Sequence, residues 1–332
     1  MAGGHLSLSA TLLVLERHQV ACYLIAIGVG GILGSAVPTG SQLAASAITP
    51  CLIVLLFVTF LEMPFDRLAA ALRDLRFLGA VIGLNFLIVP LVVATLHTLI
   101  PLNESVAVPA LIVLLTPCID YVLVFTKLAG GSADRLLVLT PLLMIAQVAL
   151  LPVYLWAILG ISAAATIPPG PFVEALALFV LLPLLAAVIF RLLAHRVHRV
   201  ESGLEYASRS MVVIMSLTLA VIAAGQIPVL GPYACELGLA VALFATFAVI
   251  MVVLGRLLSW ILRLPAGSAN ALIFSGVTRN SLVMLPIVRA VDGAGPGADV
   301  VVSQTIVELF VMLALVRSMR WIAPPGAVSE NR

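Results

Sequence analysis

Charge is what this chain most lacks. Only 10% of its 332 residues are Asp, Glu, Lys or Arg, whereas 63% are hydrophobic. A soluble globular chain carries roughly 25% charged residues. With a mean hydropathy of +1.24, a water-facing surface is excluded and the apolar surface has to face lipid. The net charge of +2 and the absence of a basic run with interleaved aromatics argue against a nucleic-acid partner. Cysteine is sparse too. Cys22, Cys51, Cys118 and Cys235 are far apart, with no CxxC and no metal-ligand spacing, so neither a disulfide framework nor a metal site is expected. The first three lie in apolar stretches and Cys235 in a short polar connection; Cys22, Cys51 and Cys235 read as small packing residues. HExxH, GxSxG and Walker motifs are missing, and the five histidines fall near interfaces or ends. No enzyme activity and no cofactor are expected. The N-terminus has no basic segment followed by a small-residue cleavage site, so the first span should itself direct insertion.

What the sequence has in abundance is apolar runs of spanning length. A transmembrane helix needs roughly 17–25 mainly apolar residues, and about ten such runs are present, at 19–37, 44–64, 77–100, 106–126, 136–161, 171–194, 210–227, 237–259, 269–289 and 299–318. The expected fold is therefore an all-α polytopic membrane protein. Connections after odd-numbered spans contain only Arg289. The opposite side carries Arg17, Arg67, Arg73, Arg76, Lys127, Arg135, a cluster from Arg191 to Arg209, Arg256, Arg263 and Arg317 onward. By the positive-inside rule both termini are cytoplasmic, in a multi-pass protein of the cell membrane. Ten spans divide into five plus five, and an odd number per half means that repeats would be inverted. The predicted organisation is a cytoplasmic or interfacial segment at 1–18, a first repeat at 19–162, a second at 163–320 and a cytoplasmic tail at 321–332. A faint internal symmetry agrees: Cys118 precedes Gln147, and Arg279 precedes Glu308, by 29 positions each.

The polar residues inside these spans carry the functional signal. Pro117 interrupts span 4, followed by Cys118 and Asp120, and Thr278-Arg279-Asn280-Ser281 interrupts span 9. Irregular backbone at membrane depth is tolerated only where protein or a cavity lines it, and two broken helices at corresponding places point to a binding site. An ionised side chain at the bilayer centre costs at least about 2.5–3.5 kcal/mol. Asp120 and Arg279 therefore either pair with each other or face solute, and Cys118 either packs or touches solute. Gln304 and Glu308, four residues apart, share one face of span 10. Burial penalises the charged form of a carboxylate, which suits Glu308 to binding and releasing a proton. Asn85 and Gln147 read as interhelical hydrogen-bond glue. Gly28, Gly30, Gly31 and Gly34 offer span 1 a small-residue face for close packing.

Four segments together resemble the arsenite-efflux branch of the bile acid:sodium symporter superfamily. They are Thr116-Pro117-Cys118-Ile119-Asp120-Tyr121 with the residues up to Gly131, Leu151-Pro152-Val153-Tyr154-Leu155-Trp156, Thr278-Arg279-Asn280-Ser281, and Gln304-Thr305-Ile306-Val307-Glu308-Leu309. The resemblance implies two inverted five-helix repeats arranged as a panel and a core, with discontinuous helices 4 and 9 crossing in the core. It also implies that Cys118 and Glu308 hold the essential roles of the branch. As(III) is thiophilic, and a thiol holds it reversibly.

The expected function is a secondary transporter exporting arsenite, or the related antimonite, by proton antiport. Cys118, Asp120, Arg279 and Asn280 would meet the solute, and Glu308 and Gln304 would serve the coupling ion. A sodium-coupled uptake transporter of an organic anion is the first competitor, with Arg279 binding a carboxylate and Asn280, Gln304 and Glu308 coordinating sodium. A membrane receptor or assembly subunit without turnover is the second. Beyond the small solute and the proton or sodium, membrane lipid is the expected partner.

Overall fold

The computed structural model describes residues 18–61, 74–118, 122–160, 170, 174, 177–194, 203–204, 206–207, 210–226, 234–293 and 295–322. The expected N-terminal segment, except for residue 18, and the tail beyond residue 322 lie outside them. The described chain is helical in α1 (Gln19–Ala36), α2 (Pro38–Leu61), α3 (Leu75–Leu99), α4 (Glu104–Leu114), α5 (Val122–Leu128), α6 (Ala133–Leu159), α7 (Leu182–Ala194), α8 (Met211–Gln226), α9 (Ala234–Ile261), α10 (Ala266–Val277), α11 (Ser281–Asp292) and α12 (Gly297–Ile322). Each predicted span overlaps a helix or, for spans 4 and 9, a pair of helices: α4 with α5, and α10 with α11. The protein is an all-α polytopic membrane protein. Among the described residues, Gly40–Leu61, Leu75–Leu99, Cys235–Ile261 and Gly297–Met319 are each long and apolar enough to cross a bilayer, and shorter apolar helices accompany them.

Local chemistry sets the helix ends. Asp74 Oδ1 accepts the Phe77 N–H at 3.2 Å and caps α3. Acidic residues occupy the first turns of α4 (Glu104), α6 (Asp134), α9 (Glu236) and α12 (Asp299), where the positive end of the helix dipole favours them. The same preference corrects one expectation. Cys235, placed by its polar neighbourhood in a connection and read as a packing residue, is exposed in the first turn of α9. Glu236 beside it begins a helix and does not mark a loop. Gly160 (φ 86°) follows α6 and Gly293 (φ 63°) follows α11, each in a left-handed conformation that stops the helix.

Within α3, residues Leu84–Ile88 widen into a π turn. Pro90 lacks the N–H that would reach the carbonyl of Phe86, and the hydroxyl of Tyr154 in α6 donates to that carbonyl at 3.0 Å. The turn also places Asn85 in the interior, fully buried. π turns of this kind recur at functional sites.

The chain forms two compact units, each assembled from two separate stretches: residues 1–62 with 173–232, and residues 63–172 with 233–332. Each unit thus draws on both predicted repeats. In the first, α8 packs along α1 and α2, and α7 packs on α2. Phe57 and Phe190 meet edge to face with centroids 5.6 Å apart. In the second, α9 packs on α10 and α12, α11 packs on α12, α3 packs against α9 and α10, and α4 packs against α9, α11 and α12. Large apolar side chains point outward (Leu43 and Trp260 are both 73% exposed), whereas the second unit buries Asn85, Thr116, Thr278, Arg279, Gln304 and Glu308. That inside-out distribution is what lipid as solvent requires.

The small-residue face of α1 is used at two of its glycines. A Cβ on Gly30 would sit 2.2 Å from the Ala220 carbonyl oxygen, and one on Gly34 would sit 2.1 Å from that of Ala224, so backbones of α1 and α8 meet with no room for a methyl group. Gly28 has nothing within 4 Å of such a Cβ. Gly34→Ala should therefore destabilise the protein by about 1–3 kcal/mol through overpacking, while Gly28→Ala leaves it unchanged. Thermal unfolding of the detergent-purified protein measures both.

Candidate functional site at the helix crossing

The site lies in the second unit, where two broken helices meet. Between α4 and α5, Thr116 N–H turns back to the Val113 carbonyl at 3.1 Å, Thr116 Oγ1 donates to the Ile112 carbonyl at 2.8 Å, and Pro117 has no N–H to give. Between α10 and α11 the helix stops after Thr278 N–H bonds the Phe274 carbonyl at 2.9 Å. The breaks pair with each other: Pro117 and Arg279 form an antiparallel β-bridge, and Asn280 N–H donates to the Thr116 carbonyl at 2.9 Å.

Two N–H groups and two carbonyls released by the second break find new partners. In a continuous helix Arg279 N–H would bond the Ser275 carbonyl, and Asn280 N–H the Gly276 carbonyl. Instead, Arg279 N–H donates to Glu308 Oε2 at 3.1 Å, and Asn280 N–H has gone to Thr116. The two orphaned carbonyls are taken by the side chain of Arg279 itself, whose Nη2 lies 2.6 Å from Ser275 O and 2.8 Å from Gly276 O. The same nitrogen donates to Asn85 Oδ1 at 3.0 Å, and Asn85 Nδ2 in turn donates to Ser275 Oγ at 3.0 Å. Phe247 of α9 covers the guanidinium, its ring centroid 5.6 Å from Cζ. Arg279 is 0% exposed. Its desolvation, at least about 2.5–3.5 kcal/mol, is offset by charge-assisted hydrogen bonds of about 1.5–3 kcal/mol each.

Glu308 joins the crossing from α12. Gln304 Nε2, one turn earlier, donates to the same carboxylate oxygen that receives Arg279 N–H. Ser281 and Thr305 share a hydroxyl hydrogen bond at 2.8 Å, fixing the start of α11 to α12. Asn280 Oδ1 accepts the Val283 N–H at 3.2 Å and caps α11. Cys118, outside any disulfide, is buried just past the bridge, and Glu308 and, more weakly, Cys118 lie within electrostatic reach of the Arg279 guanidinium. Arg279 Nε and Nη1 and Gln304 Oε1 have no hydrogen-bond partner among the described residues. Buried polar atoms in that state have hydrogen-bonding capacity left for a polar solute or water.

The structure thus brings together Cys118, Arg279, Asn280, Gln304 and Glu308. Asp120 lies outside the described residues, as does the side chain of Gln147. The 29-residue spacing of Arg279 and Glu308 corresponds to a direct contact. Asn85, expected to be hydrogen-bond glue, does bridge helices, and its partner is the buried arginine. A buried amide just ahead of a mid-span proline is the signal that could have marked it. The ring of Phe247 and the carbonyls of Ser275 and Gly276 carried no such signal.

Asn85→Ala should leave one charge-assisted bond of Arg279 unmade and cost about 1.5–3 kcal/mol of stability, read as a lower unfolding temperature in detergent.

Compared with known families, residues 49–231 match the profile of the sodium bile acid symporter family, a stretch that contains Asn85, Pro117 and Cys118. Comparison with curated proteins gives no match.

Proposed function

Because this chain belongs to the sodium bile acid symporter family, a family of membrane transporters, we propose that it is a secondary transporter exporting arsenite, or antimonite, in exchange for protons. The observation that supports this reading is the meeting of a buried thiol, a buried carboxyl group and a buried guanidinium at one helix crossing. Cys118 is the metalloid ligand. Arsenite exchanges a hydroxyl for the thiol sulfur with loss of water, and hydrolysis reverses the bond on the other side.

Glu308 is the proton carrier. Its carboxylate receives the N–H of Arg279, so protonation weakens a hydrogen bond that holds the break of α10 and α11 in place. Proton binding is thereby linked to the geometry around Cys118, which is the coupling that alternating access needs. Asn280 and Gln304 order the two ends of this linkage, and Asp120 completes the solute site. The chain is arranged as two inverted repeats, residues 19–162 and 163–320, in the cell membrane with both termini cytoplasmic, as the arginine distribution indicates. No enzymatic step is involved.

Sodium-coupled uptake of an organic anion is the second reading. It is favoured by the family's sodium symporters and by the unpartnered Nε and Nη1 of Arg279 among the described residues, which could receive a carboxylate. The thiol at the break has no role in that scheme.

In cells lacking other arsenite exporters, expression of the protein should confer arsenite resistance. Cys118→Ser and Glu308→Gln should each abolish it with unchanged amounts of protein in the membrane. Full resistance in both variants would sink the mechanism, and a requirement for external sodium would move the assignment to the second reading.

A further inference from the structure

Arg279 is held almost entirely through one nitrogen. Nη2 lies 3.0 Å from Asn85 Oδ1, 2.6 Å from Ser275 O and 2.8 Å from Gly276 O. A guanidinium spreads five N–H donors over three nitrogens and suits planar, forked acceptors. Here three oxygens converge on the two protons of Nη2, while Nε and Nη1 have no hydrogen-bond partner among the described residues. Oxygens gathered around a point, and not along a fork, are the surroundings of a compact hard cation stripped of water.

The character of the three oxygens agrees. All are uncharged, as in carbonyl-lined sites for monovalent ions. Two are terminal carbonyls of α10, the negative end of its dipole, and the third comes from the π turn of α3. The ring of Phe247 faces the same spot and attracts a cation of either kind. The carboxylate of Glu308 accepts the backbone N–H of Arg279, supplying negative charge nearby without being one of the three oxygens.

We propose that Asn85 Oδ1, Ser275 O and Gly276 O form a seat for a monovalent cation, and that Arg279 fills it permanently from within the chain. The tethered guanidinium stands where a sodium ion would bind and keeps sodium out. A cation that cannot leave cannot couple transport to a sodium gradient, so coupling falls to the carboxyl group beside it. This deepens the proton-coupled reading and rests on it for its role in transport, whereas the seat itself is a matter of binding.

The test uses the full chain purified in detergent, with thermal unfolding followed as sodium chloride replaces choline chloride at constant ionic strength. Arg279→Ala should gain stability saturably with sodium, its Tm rising by several degrees by mass action. Wild type and Arg279→Lys, each with a tethered cation, should not respond. Adding Asn85→Ala to Arg279→Ala should remove the response. Sodium stabilisation of the wild type equal to that of Arg279→Ala would overturn the proposal. So would an Arg279→Ala protein that sodium neither stabilises nor rescues from unfolding. If Arg279→Ala responds to sodium but the wild type does not export arsenite, the seat stands and the transport reading above falls.

Discussion

A helix cannot be opened inside a membrane unless protein groups close what the opening leaves bare. At the end of α10 two N–H groups depart, one to Glu308 and one to Thr116, and the carbonyls they abandon are both taken by the guanidinium of Arg279. In lipid each unsatisfied group would cost several kcal/mol. The break therefore depends on a cation in that seat, which in this chain is the arginine. The arginine in turn is tolerable there only because the break offers it two carbonyls and α3 offers Asn85. Each element stabilises the other.

Much of the second unit follows from that mutual dependence. The π turn just before Pro90 carries Asn85, which reaches the guanidinium, and Tyr154 of α6 takes the Phe86 carbonyl that Pro90 leaves without a donor. α9 supplies Phe247 as the lid of the seat. α12 supplies Glu308, which ties the peptide at residue 279 to a titratable group. In the proposed mechanism, adding a proton to one side chain alters a backbone hydrogen bond of the break, and the break adjoins the thiol at Cys118 through a single β-bridge. Chemistry at the thiol and at the carboxyl group can thus be linked within a few bonds, without a long pathway across the fold.

The sequence is a good guide wherever the membrane imposes a simple rule. Span positions are legible because a bilayer dictates length and apolarity. Arg279 and Glu308 are legible because charge at that depth is too expensive to be incidental. The broken helices are legible through Pro117 and the run Thr278–Ser281. Partnerships are a different matter. Asn85 reads as generic glue because composition does not say which helix α3 faces, and Phe247 is one phenylalanine among many. Cys235 is misplaced because an acidic residue marks a helix start as readily as a connection. The two compact units, each built from separate stretches, arise from packing preferences such as the Gly30–Ala220 and Gly34–Ala224 approaches, which hydropathy does not encode.

The central claim, that a buried thiol and a proton-binding carboxyl group at this crossing move arsenite outward, is tested most directly in everted membrane vesicles. Arsenite uptake is measured with an imposed proton gradient and no sodium. The account predicts accumulation inside the vesicles that collapses when an uncoupler is added. Folded protein that accumulates no arsenite until sodium is supplied would contradict it.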